Sequence, residues 1–301
     1  MSASRNKNIK VLPFQHGFGA EIISVELNNL NALEADIIHQ AYLDHQVLVI
    51  RNQTMTANEQ VEFASRFGNI EAQENHQFAH PDNDKVVILS NEIRPDGTAI
   101  GVVDAGDFWH SDSSHHEIPV TATILQAIRN PKEGGDTEFC NMYDAYESLP
   151  ANLKTKIEGR LGIHHVSKAI NSRVNISENR PGAREMYEEQ IQSRGHVLQP
   201  LVRTHEESGR QALFVSPRFT IGIEGMDDTE AQPLLDRLFA TITDPARPRH
   251  YRHKYRDGDV VLWDNRSVVH RATGGYKLPE VRRMHRTTVA GTVRPFYRPA
   301  T

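Results

Sequence analysis

The sequence has a single cysteine, Cys140, in 301 residues. No internal disulfide can form, and nothing points to an oxidising compartment. A lone cysteine of this kind is expected as a small core residue. No apolar run is long enough to span a bilayer, and Met1 to Arg51 lacks the apolar core of a signal peptide. The expectation is a soluble, cytoplasmic chain with no membrane partner. There is no excess of positive charge either: the net charge is −5, which removes the usual reason to expect nucleic acid. Internal repeats, low-complexity tracts and linker-like shifts of composition are also missing. What remains is ordinary for a folded chain, with 38% hydrophobic and 24% charged residues. The length suffices for a large core, and residues 1–301 read as a single domain.

Taken in order, Ile9–Phe14 and Ala20–Leu27 read as strands around a turn at Gly17 and Gly19. Asn31 with Glu34 predicts a capping box opening a helix to about His45, and Thr56 with Glu59 predicts a second, closed by Gly68. Val47–Ile50 is a continuous apolar run, expected as a buried strand. Further strands are predicted at Val86–Ser90, Thr121–Ile128, Thr137–Cys140, Leu198–Thr204, Ala212–Ser216, Arg249–Tyr255, Asp259–Trp263 and Met284–Val289. Short helices are expected at Met142–Ser148 and Ala151–Glu158, and a longer one from Thr229 to about Ile242 with Pro233 in its first turn. From about Ser167 to Ser193 no apolar period is visible, which predicts an irregular segment, either a lid or a surface insertion. Many short strands with few helices predict a β-rich α+β fold with helices on the outside.

Chemistry concentrates at Phe108-Trp109-His110-Ser111-Asp112-Ser113. Read as a strand, this stretch points His110 and Asp112 to one face and Trp109 and Ser111 to the other. An imidazole beside a carboxylate supplies two parts of the 2-His-1-carboxylate set that binds non-haem Fe(II). With 16 histidines in the chain, the pair alone is weak evidence. The third part can come from His270, after Trp263-Asp264-Asn265-Arg266. Beyond it, Arg282, Met284 and Arg286 share one face of a predicted strand, with the two arginines roughly 13 Å apart. Two arginines on one buried face call for an anion. The doublets His115-His116 and His164-His165, together with His285, read as packing or surface residues, and Trp109 and Trp263 as core.

The order His-x-Asp, distant His, then Arg resembles the taurine dioxygenase/2,4-D dioxygenase family of Fe(II)/2-oxoglutarate-dependent dioxygenases. Gly134-Gly135-Asp136-Thr137, Arg203-Thr204-His205, Gln211-Ala212-Leu213-Phe214-Val215 and Arg282-Arg283-Met284-His285-Arg286 extend the resemblance over nearly the whole chain. It implies a double-stranded β-helix, a jelly-roll-like core with flanking helices, and a homo-oligomer. It implies that His110, Asp112 and His270 are the iron ligands and catalytic centre. Thr137 and Arg282 then hold the distal carboxylate of 2-oxoglutarate, and Arg286 a substrate anion. His76, in the stretch with Gln73 and Asn75, falls where family members place a substrate-contacting histidine, although the register departs there. The implied reaction consumes O₂ and 2-oxoglutarate, releases succinate and CO₂, and hydroxylates a small anionic organic substrate. The candidates are a sulfonate, a sulfate ester or an aryloxy or alkyl carboxylate, with collapse to an aldehyde or ketone where the hydroxylated carbon bears oxygen or sulfur.

Two other readings use the same ligands: a zinc hydrolase acting through bound water, and a jelly-roll binding protein without catalysis. The first needs a general base, and no glutamate accompanies the His-x-Asp pair at metalloprotease spacing.

Overall fold

The computed structural model describes residues 9–15, 17–71, 76–103, 106–167, 183–193, 195–244 and 250–299. The chain begins with β1 (Lys10–Pro13) and β2 (Ala20–Ile23), which form an antiparallel pair. Helix α1 (Ala32–His45) carries the chain to β3 (Val47–Ile50), parallel to β2. Helix α2 (Ala57–Ser65) leads through a 3-10 turn at His76–Phe78 to β4 (Ala79–His80) and β5 (Asn83–Ser90). Both predicted capping boxes form, on Asn31 and on Thr56.

After a long loop come β6 (Ala122–Arg129), β7 (Thr137–Asn141), α3 (Met142–Glu147), α4 (Ala151–Ile157) and β8 (Leu161–His164). Helix α5 (Ala183–Ser193) precedes β9 (Val197–Pro200), β10 (Val202–Thr204), β11 (Gln211–Leu213) and β12 (Thr220–Ile223). The last elements are α6 (Asp228–Thr243), β13 (His250–His253), β14 (Val260–Asp264), β15 (Val268–Ala272) and β16 (Arg283–Val289).

Eight strands form the main sheet in the order β1-β2-β3-β14-β6-β16-β5-β4, and β13-β7-β15 form a smaller sheet. Strand alternation sorts the main sheet's side chains onto two faces. Leu48, Ile50, Ile124, Val260 and Leu262 meet Ile38, Tyr42 and Phe63 of the covering helices. Val47, Val49, Leu125, Val261 and Met284 turn inward and meet Phe139 of β7 and Val268 of β15. A third cluster, built on α3, α4 and α6, lies beyond the small sheet and includes Cys140, which is fully buried as expected. The fold is the jelly-roll-like core with flanking helices that the sequence suggests.

Several local expectations are corrected. Phe108–Ser113 is not a strand: only His110 pairs, in a single bridge with His270, and the chain then turns, with Ser113 at φ +55°. Strands β4, β8, β12 and β15 are not predicted from the sequence, and the Leu198–Thr204 strand is split at Leu201. Part of the segment predicted to be irregular is helical: α5 spans Ala183–Ser193, rich in Glu and Gln, whose propensity forms a helix without a broad apolar stripe. Residues 168–182 of that segment lie outside the described residues. Helix α6 starts at Asp228, which puts Pro233 in the second turn rather than the first. No helix among the described residues is long and apolar enough to cross a membrane.

Candidate active site

The site lies between the two sheets. His270 sits mid-strand on β15, held by β7 on one side, where it faces Phe139. On its other side the chain passes through His110, whose N–H donates to the His270 carbonyl at 3.0 Å, while the His270 N–H donates back at 2.8 Å. Residues exchanging both backbone bonds project their side chains to the same face. The two imidazoles therefore stand side by side, ring centroids 4.3 Å apart. Asp112 is brought in by the turn that follows, not by strand alternation. Its carboxylate Oδ1 is 3.5 Å from His110 Nε2 and its Oδ2 is 3.9 Å from His270 Nε2. Ligand atoms of the three residues all lie within 4.8 Å of one another, and all three residues are buried.

This donor set suits a divalent transition metal. His110 Nδ1 is 2.7 Å from the Phe108 carbonyl. That contact requires the proton on Nδ1 and leaves the Nε2 lone pair facing inward. Burial pushes His270 down to about 3, reinforced by the neighbouring His110 ring and partly offset by Asp112, so the imidazole is neutral at pH 7. Burial alone would raise the Asp112 carboxyl. The neighbouring imidazoles of His270 and His110 and the Arg286 guanidinium more than reverse this and hold it well below the usual carboxylate range. The result is two imidazole nitrogens and one carboxylate converging on one point, the ligand chemistry of non-haem iron.

Beside this cluster is a cavity lined by His110, Thr137, Trp263, His270, Arg282 and Arg286, among others. Arg282 is 6% exposed. Its Nε donates to the Gly135 carbonyl at 3.0 Å, and its guanidinium lies near the rings of Tyr255 and Tyr276. Among the described residues no carboxylate forms an ion pair with it. A buried guanidinium of this kind is balanced only by an anion entering the cavity. Thr137 opens β7 and accepts a hydrogen bond from the Tyr255 hydroxyl at 3.1 Å, so its own proton is available to the cavity. Arg286 lies on β16 between Val87 of β5 and Leu125 of β6 and lines the same cavity as Arg282, as the strand-face argument expects.

The Taurine catabolism dioxygenase TauD, TfdA family matches residues 10–288. This chain belongs to that family. It is 32% identical over 286 residues to the alpha-ketoglutarate-dependent 2,4-dichlorophenoxyacetate dioxygenase of Cupriavidus pinatubonensis, covering 92% of this chain and 96% of the relative. A taurine dioxygenase from Burkholderia xenovorans superposes with a TM-score of 0.78 at 28% identity, covering 96% of this chain and 91% of the other. The structure of AAD-2 with Mn(II) and N-oxalylglycine superposes with a TM-score of 0.77 at 30% identity, covering 96% and 99%. As a member of the TauD, TfdA family, the chain is an alpha-ketoglutarate-dependent dioxygenase, which uses 2-oxoglutarate and O₂.

For this family member, six of the seven site residues picked out in the sequence gather at one cavity. His110, Thr137, His270, Arg282 and Arg286 line it, and Asp112 stands against His110 and His270 at its edge. The seventh, His76, opens the 3-10 turn before β4, but its side chain lies outside the described part of the structure, as do Gln73 and Asn75. Trp263 was expected as core only; it is core and also a cavity wall, its ring 4.7 Å from that of His270. His164 and His115 are packing residues, as expected: His164 bonds Ser114 and Thr220, and His115 stacks on Phe219. Sequence reasoning missed Tyr255 and Gly135. The sole signal for either was the Gly134-Gly135-Asp136-Thr137 motif, in which only Thr137 is given a role.

Proposed function

We propose that this chain is an Fe(II)- and 2-oxoglutarate-dependent dioxygenase that hydroxylates a small organic anion, with His110, Asp112 and His270 as the iron ligands. The observation that carries the reading is the cluster of these residues next to Arg282, a buried cation that forms no ion pair with a carboxylate among the described residues. Bound Fe(II) supplies the centre where O₂ and 2-oxoglutarate react, with decarboxylation to succinate and CO₂ coupled to hydroxylation of a substrate C–H bond.

The chain's own residues supply position and dryness. Arg282 receives the distal carboxylate of 2-oxoglutarate. Its Nε is already committed to Gly135, which leaves the terminal nitrogens for the ligand. Thr137 donates its hydroxyl proton to the same carboxylate, because the Tyr255 hydroxyl occupies an acceptor position on its oxygen. Leu89, Leu125 and Trp263 wall the cavity against water. Arg286 holds the anionic group of the substrate, and His76 contacts the substrate from the segment before β4. The named substrates of two relatives, a phenoxyacetate and taurine, are a carboxylate and a sulfonate, and either suits one arginine. The reading takes the whole chain as one catalytic domain, supported by the family match over 10–288 and by a main sheet that draws strands from both ends of the chain.

Succinate formation tests the reading. The Fe(II)-loaded enzyme is incubated with 2-oxoglutarate and a panel of aryloxyacetates, alkyl sulfates and alkyl sulfonates. We expect succinate above the substrate-free rate with at least one anion, and none in His110→Ala, Asp112→Ala or His270→Ala. Succinate formation unaffected by all three changes would remove these residues from the iron site.

A further inference from the structure

Strand β14 closes in Trp263-Asp264-Asn265-Arg266, a stretch of which the site described above uses only the tryptophan. Asn265 is 1% exposed and Thr123, on the neighbouring strand β6, is fully buried. The Asn265 Oδ1 is 3.1 Å from the Trp263 indole nitrogen and 3.2 Å from the Asp112 backbone nitrogen. Its Nδ2 is 2.9 Å from Thr123 Oγ1, and Thr123 Oγ1 is 2.7 Å from Asp112 Oδ2.

These contacts fix the direction of every proton. Indole and peptide N–H groups only donate, so the amide oxygen must face them. The amide nitrogen then faces Thr123 and occupies an acceptor position on its hydroxyl. That hydroxyl has one proton, and the Asp112 carboxylate is left to accept it. Flipping the Asn265 amide would set its NH₂ against two donors. The sheet fixes the spacing, because Thr123 pairs with Trp263 across β6 and β14.

We infer that Asn265 and Thr123 are positioning residues for the metal centre. Asn265 aims the Thr123 proton, and that proton ties down Asp112 Oδ2. The carboxylate is thereby held in the rotation that offers Oδ1, the oxygen beside His110 Nε2, to the cation. Through Trp263, the same amide also steadies the ring packed on His270. The inference rests on the proposed iron ligands. Hydrogen bonds to ligating groups from the surrounding shell are commonly worth about 10- to 100-fold in metal affinity.

Co(II) is the probe, titrated into the full chain without 2-oxoglutarate. Its visible absorption reports affinity and, through band intensity, coordination number. Thr123→Val and Thr123→Ala both remove the hydroxyl at different volumes, and Thr123→Ser keeps it. We expect Co(II) binding weakened about 10- to 100-fold with an altered band in the first two, and near-native binding in the third. Val and Ala variants that fold, by circular dichroism, and bind Co(II) with native affinity and spectrum would overturn the inference. So would a Thr123→Ser variant as impaired as Thr123→Val. His270→Ala separates the two claims. If it abolishes Co(II) binding while the Thr123 variants are normal, only the positioning role falls. If it leaves Co(II) binding unchanged, the ligand assignment falls and the positioning role with it.

Discussion

Arg282 lies directly over Gly135. Its Nε donates to the Gly135 carbonyl at 3.0 Å, and a Cβ placed on Gly135 would stand 3.0 Å from the arginine's Cδ. Gly135 also has φ +73°, a conformation that side chains rarely adopt. Glycine here does two things: it lets the turn before β7 form, and it leaves room for the guanidinium stem.

Gly135→Ala should therefore weaken 2-oxoglutarate binding while sparing the metal site, and lower stability by about 1–2 kcal/mol from the left-handed backbone. Gly97→Ala is the control. Gly97 has φ +85° but nothing within 4 Å of a new Cβ, so it should cost similar stability and leave 2-oxoglutarate affinity unchanged. Anaerobic 2-oxoglutarate titration and thermal melts read both effects. Equal co-substrate affinity in the two variants would refute the contact.

Arg282→Lys should weaken 2-oxoglutarate more than it weakens Fe(II), because lysine cannot reproduce two parallel hydrogen bonds to a carboxylate. Thr137→Val should act in the same direction but more mildly, by about 1.5 kcal/mol, roughly tenfold in Kd. Isothermal titration with and without metal distinguishes the two ligands. An unaltered 2-oxoglutarate affinity in Arg282→Lys would take this residue out of the co-substrate site.

Arg286→Ala should leave 2-oxoglutarate affinity intact and raise the substrate KM, with more succinate formed per turnover of substrate. The variant also removes one of the positive groups that keep Asp112 ionised. His270 and His110 remain beside the carboxylate and still oppose the effect of burial, so metal binding should fall little. A steady-state comparison of succinate with hydroxylated product measures the coupling. Native KM for the best anion would mean that Arg286 does not select the substrate.

His164 predicts a pH dependence of stability. Burial between Ser114 and Thr220 pushes its imidazole down to about 3. The unfolded chain takes up this proton near pH 6.5 and the folded chain does not. Stability is therefore full above about pH 6.5 and declines as pH falls toward 3, at up to about 1.4 kcal/mol per pH unit for this residue. Urea unfolding at pH 7 and pH 5 should show the loss, and His164→Gln should reduce it. A His164→Gln variant with the same slope between these pH values would assign the effect elsewhere.

Much of the site was legible without the fold. His110, Asp112, His270, Arg282 and Arg286 stand out by residue type and order, and glycine pairs, capping boxes and apolar alternation placed most strands and helices. Yet the strand argument that paired His110 with Asp112 does not hold. His110 and Asp112 converge through a turn, because His110 is bonded to His270 and the Asp112 backbone to Asn265. Strand β15, which carries His270, escaped prediction because His270, Arg271 and Ala272 break the apolar run and pairing with β7 alone makes it a strand.

Residue type and order set which chemistry is available: two imidazoles, a carboxylate and two arginines in a recognisable order, on a chain patterned for β-sheet. Local composition suffices for that, because side-chain chemistry and strand period are properties of the residues themselves. Which groups share a cavity, which histidines merely pack, and how Thr123, Asn265, Tyr255 and Gly135 orient their neighbours emerge from the fold. Those roles depend on hydrogen-bond distances of about 3 Å between residues far apart in the chain. Such distances are set by the register of paired strands, which no local pattern encodes.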